Sequence, residues 1–170
     1  MSAEITKLED RLLQNGCVVL YYNSFILEQD STELVAAGWR FSQIYIAEEG
    51  SCGEFYDHVA VALEFPSYFG RNLNALRDCL SELSFPPSGR LAFGLERFDV
   101  LAQNDPDFAH AVLDVFASME RRFLIEKKRM LLMVQSNNPD LHFPEVGSSP
   151  VLWNPEEWLD SKRKKKKVQL

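Results

Sequence analysis

The run Met130-Leu131-Leu132-Met133-Val134 offers no polar side chain to either face of a strand, and this constrains the fold more than any other stretch. Successive strand residues point to opposite faces of a sheet, so five apolar residues in a row need cover on both sides. That is the position of a strand inside a parallel sheet, with helices packed above and below. The preceding sequence supplies one such helix. Asp105-Pro106 reads as a cap followed by a proline at the first helical position, Asp107 suits the first turn, and Phe108, Val112, Val115, Met119 and Phe123 recur on one face up to Glu126-Lys127-Lys128.

The same alternation of elements runs back to the N-terminus. Leu8 to Leu13 predicts a short helix, and the β-branched and aromatic run Cys17-Val18-Val19-Leu20-Tyr21-Tyr22 predicts a strand. Ser24 to Ala37 predicts a helix that packs through Phe25, Leu27, Leu34 and Val35 and ends at Gly38. Trp39 to Ala47 predicts a strand, Ser51 caps a helix burying Phe55, Val59, Ala62 and Leu63, and Leu91-Ala92-Phe93-Gly94-Leu95 predicts a further strand. Strands separated by helical connections favour parallel neighbours. The expected fold is therefore α/β and layered, a mainly parallel sheet of about four strands packed with helices, in which residues 17–23 add one strand. Residues 153–158 are expected to form a short capped turn whose tryptophans pin the C-terminal segment.

Several function classes find no support in the sequence. No glycine-rich phosphate loop, nucleophile elbow or zinc-protease motif is present, and His58, His110 and His142 stand without partners at catalytic or ligand spacing, so neither enzyme nor cofactor nor metal is expected. Three cysteines, Cys17, Cys52 and Cys79, with no Cys-x-x-Cys spacing, predict buried reduced thiols. No apolar run approaches a membrane span, and the polar start Ser2-Ala3-Glu4-Ile5-Thr6-Lys7 has neither region of a secretory signal, so a cytoplasmic location is expected. The net charge is −7, but residues 162–167 hold six of the 18 basic side chains, leaving 12 against 25 acidic, a net −13, elsewhere. Such a body repels nucleic acid and attracts basic proteins; the basic block reads as a solvated tail with weak RNA binding as its functional alternative. Glu48-Glu49, Glu156-Glu157, Asp114 and Glu120 read as solvated charges.

One stretch carries candidate chemistry. Residues 65–80 run from a proline-to-glycine loop into an amphipathic helix: Gly70 supplies the turn, Asn72 caps, and Leu73, Leu76, Leu80 and Leu83 form the apolar stripe. The other face presents Asn74, Arg77, Asp78 and Ser81, with Tyr68 in the loop before them. An aromatic ring, an amide, a cation and a carboxylate thus share one patch, the residue chemistry of interface hot spots.

In Pro66, Tyr68, Phe69, Gly70, Asn72, Leu73, Ala75, Leu76, Asp78, Cys79 and Leu80 this stretch resembles the signature of the barstar family, intracellular inhibitors of secreted ribonucleases. The similarity extends over about residues 39–136. It implies a barstar-like core at 39–136, flanked by an N-terminal strand-helix extension at 1–38, a C-terminal loop and short helix at 137–160, and a basic disordered tail at 161–170. It also implies a partner: a basic ribonuclease or ribonuclease toxin, bound 1:1 by a monomer through Tyr68, Gly70, Asn72, Asn74, Arg77 and Asp78. In the family a loop tyrosine and acidic residues of this helix plug the nuclease site, and Asp78 falls on a matching acidic position. Asn74 stands where the type member has a second aspartate, Arg77 where it has tryptophan, and Ser118 where a later helix supplies glutamate. A protein-interaction module that uses this scaffold without inhibiting anything is the alternative expectation.

Overall fold

In the computed structural model, which describes residues 7–164, strands β1 (Val18–Tyr21), β2 (Arg40–Tyr45), β3 (Arg90–Glu96), β4 (Arg129–Gln135) and β5 (Leu152–Trp153) form one parallel sheet. The spatial order is β2-β3-β4-β1-β5. Helices α1 (Leu8–Leu12), α2 (Ser24–Ala36), α3 (Cys52–Ala62), α4 (Leu73–Ser81), α5 (Phe98–Asn104), α6 (Pro106–Ile125) and α7 (Asp160–Lys164) complete the described chain.

β4 occupies the central position that its composition demands. Met130, Leu132 and Val134 pack into the larger core, with Val59 of α3, Leu76 and Leu80 of α4, Leu101 of α5 and Phe116 of α6. Leu131 and Met133 point the other way, into a smaller core with Leu8 and Leu12 of α1 and Leu27 and Leu34 of α2. The expected extra strand at residues 17–23 is β1, which pairs with β4 in the register Val18 to Leu132. Gly38 follows α2 with φ 96°, a backbone region that favours glycine, and so stops the helix before β2.

Several expectations need correction. Phe25 and Val35 are exposed, because the stripe of α2 that meets the sheet runs through Leu27, Asp30, Ser31 and Leu34 and leaves no room for a second one. Asp30 is tolerated there because the Tyr21 hydroxyl donates to its Oδ2 at 2.8 Å. The sheet, expected at about four strands, includes a fifth among the described residues. Leu152–Trp153, which reaches only the first residue of the expected capped turn, pairs with Val19 and Leu20 as β5. α5 lies in a stretch the sequence left unassigned, entered through Arg97 at φ 59°.

The charges expected to be solvated include two that are buried. Glu120 of α6 sits beside Arg129, whose Nε donates to it at 3.3 Å, and burial pushes its carboxyl up while that guanidinium opposes the shift. Glu157 is 3% exposed and accepts from the backbone N–H of Tyr22 at 2.9 Å, that of Asn23 at 3.0 Å, and Asn154 Nδ2 at 2.9 Å. Residues 161–164 of the expected disordered tail belong to α7, and residues 165–170 lie outside the described part. Arg163 is buried, stacks on the Trp153 ring at 4.4 Å, and donates to the carbonyls of Pro139, Glu157 and Trp158. An isolated buried guanidinium would be costly, but three carbonyls, one ring and the Asp160 carboxylate take up its donors here.

Candidate protein-binding face

The loop before α4 is held by aromatic rings rather than by a regular element. Phe69 meets Tyr56 edge-on at 5.9 Å and Phe65 at 5.0 Å, and Tyr56 in turn meets Phe55 and Phe108. These contacts fix the loop backbone while the neighbouring ring, Tyr68, remains 78% exposed. Arg71 adopts φ 50° and spans back to α3, pairing with Asp57 at 3.0 Å and donating to the Gly53 carbonyl at 3.1 Å. The left-handed residue of the turn is thus Arg71, not Gly70. Gly70 instead sits close to the cap: a Cβ there would come within 3.2 Å of Asn72 Nδ2, pressing on the capping side chain, and 3.4 Å of Ala75 Cβ.

Asn72 caps α4 as its sequence position predicts. Its Oδ1 accepts from Ala75 N at 2.9 Å and its Nδ2 donates to the Gly70 carbonyl at 3.1 Å, so one side chain ties the turn to the first helical residues. Leu76 and Leu80 are fully buried on the inner stripe, and Leu73 and Leu83 pack partly buried against the same core. A helix anchored by its cap and by two leucines presents its other face in a fixed orientation.

That face carries the expected residues. Tyr68, Gly70, Asn72, Asn74, Arg77 and Asp78 are all exposed along one side of the loop and helix. No hydrogen bond or ion pair engages the side chains of Tyr68, Asn74, Arg77 or Asp78 among the described residues. Beneath Asp78 lies the buried Cys79, whose thiol is pushed up by burial first and by the carboxylates of Glu82 and Asp78 next. The sequence reading passed over Glu82, although it follows Asp78 by one helical turn; its signal was that spacing.

Other candidates resolve into structural roles. Ser118 turns its hydroxyl onto the Asp114 carbonyl at 2.7 Å, and the Asp114 carboxylate accepts Gly147 N at 2.9 Å, so neither offers an acid at this position of α6. The three histidines each meet a backbone carbonyl: His58 that of Tyr45 at 2.5 Å, His110 that of Glu145 at 3.0 Å, and His142 that of Asp140 at 3.2 Å. Cys17, Cys52 and Cys79 are free thiols; Cys17 and Cys79 are buried and Cys52 is half-buried. Burial, with Glu120 adding, pushes Cys17 up to about 12, a thiol with little nucleophilic character. Among the described residues no helix is long and apolar enough to cross a membrane.

No curated protein matches the chain. The family model described as Barstar (barnase inhibitor) matches residues 39–135, from the start of β2 to the end of β4, and contains the whole of the face built on α4. The match covers more than half of the chain and includes the capped helix, its leucine stripe and its exposed acid: the chain belongs to the barstar family.

Proposed function

We propose that this protein is an intracellular inhibitor that binds a basic ribonuclease or ribonuclease toxin 1:1, as a monomer, and occludes its active site. The observation that carries the reading is Asp78: an exposed carboxylate with no ion-pair partner among the described residues, on a helix fixed by a cap and two buried leucines, in the segment that matches the family of barnase inhibitors. A nuclease site lined with cations to hold phosphates accepts such a carboxylate equally well, and a folded inhibitor offers it nothing to cleave. Tyr68 supplies ring area beside the acid at little cost in side-chain entropy. The acidic body adds attraction at long range, speeding encounter with a basic partner at low salt.

Asn74, Arg77 and Ser118 favour a second reading, because each removes a family acid or aromatic from the contact face. In it the scaffold docks a partner without blocking any activity. Affinity capture from the native cell, followed by a nuclease assay on the captured protein, separates the two. A basic ribonuclease in a 1:1 complex, whose RNA cleavage stops when the chain is added, supports inhibition. A partner whose activity is unchanged overturns inhibition in favour of the docking module.

A further inference from the structure

A cavity of about 480 Å³ opens beside the α4 face, between β2, the end of α3 and the end of α4. Its walls differ in character from top to bottom. Leu91 and Phe93 of β3, with Leu63 and Leu83, make an apolar floor, while Glu64 and Glu82 stand exposed at the rim. Among the described residues, the other charged side chain of the lining is Arg40, whose guanidinium donates to the Ser84 carbonyl and is held at one end. Two carboxylates over an apolar floor suit a side chain with an apolar stem and a cationic head, since such stems lie along apolar surface while the head stays among polar groups.

The cavity is continuous with the face already described. Pro66 and Cys79 both line it, and these residues lead directly to Tyr68 and Asp78. Glu82, the C-cap residue of α4, continues the exposed row Asn74, Asp78, Glu82 at i, i+4 and i+8. The row therefore ends at a residue of the cavity lining. The Cys79 thiol in the cavity wall is pushed up by burial and then by Glu82 and Asp78, so both carboxylates act on this wall.

We infer that the cavity between β2, α3 and α4 is a specificity pocket that receives an arginine or lysine side chain of the protein docked on α4, with Glu64 and Glu82 as its acceptors. The occupant rests on the inhibitor reading above; the pocket's preference for a cation does not. Titration of the full chain with N-acetyl-L-arginine amide, followed through backbone amide NMR shifts, tests it. Saturable shifts are expected at Ser42, Cys79 and Ser84, absent with N-acetyl-L-glutamine amide and weakened at least about fivefold in the double variant Glu64→Gln, Glu82→Gln. Both glutamates are exposed, so the variant keeps its fold, which the rest of the spectrum verifies. No saturable shift, or equal affinity in the double variant, overturns the pocket. Arginine binding without nuclease inhibition leaves the pocket standing and removes its proposed occupant; inhibition without arginine binding removes only the pocket.

Discussion

Glu157 in the C-terminal segment and Asp78 on α4 are both acids next to an apolar residue in a polar stretch, yet the fold treats them in opposite ways. Glu157 is 3% exposed and accepts from two backbone amides and an asparagine, whereas Asp78 is exposed and forms no hydrogen bond or ion pair among the described residues. An acid that its own backbone satisfies holds the chain together and has no acceptor capacity facing outward. One held away from every internal donor, on a helix that cannot turn to find one, contributes little to stability and remains available to a partner.

Four substitutions test this contrast. Glu157→Ala leaves the Tyr22 and Asn23 amides buried without an acceptor and should lower stability by about 3 kcal/mol in urea unfolding. A midpoint equal to the parent's would place Glu157 among the solvated acids. Asp30 is intermediate, buried with a single donor; burial raises its carboxyl to about 6 from 3.8, the Tyr21 hydrogen bond opposing and Glu156 and Glu33 adding. The folded state then holds a proton that the unfolded state releases, so this group makes stability fall between about pH 4 and pH 6 by on the order of 2 to 3 kcal/mol. Asp30→Asn should flatten that slope, and an unchanged pH profile of the unfolding midpoint would rule the account out. Asp78→Ala should leave the unfolding midpoint within about 0.5 kcal/mol of the parent. Its affinity for the inhibited nuclease should fall about thirtyfold, or about 2 kcal/mol, mainly through faster dissociation in binding kinetics. Arg71→Ala breaks an exposed pair with Asp57 and an exposed hydrogen bond to the Gly53 carbonyl and should cost less than about 1 kcal/mol; a larger loss in thermal unfolding would make Arg71 a structural clamp of the loop.

What the sequence reveals follows the range of the interaction. The alternation of strands and helices is legible because side-chain period is local, and so is the α4 face, where cap, stripe and exposed row all lie between residues 68 and 83. β5 is not, since two residues become a strand only by pairing with β1, far away in sequence. The inward stripe of α2 escapes for a similar reason: Phe25, expected to pack, turns outward, while Asp30 is buried where the Tyr21 hydroxyl meets it. The burial of Glu157 escapes too, because its two backbone donors lie 134 and 135 residues upstream and only Asn154 is near in sequence. The mouth beside Glu82 needed the meeting of three elements before it could be seen.

The register of β1 has a consequence for synthesis. Among the described strands Val18–Tyr21 comes earliest in the chain and its two sheet neighbours, β4 and β5, come latest, so a growing chain makes β1 well before either partner. Until Leu132 and its neighbours arrive, that apolar strand has no native edge to join, and until Leu152 and Glu157 follow, its far edge and the two amides after it stay open. A released chain cut short after β4 would thus carry the α4 face on a body with one unsealed strand edge, the kind of exposed edge that makes an incomplete chain prone to aggregation.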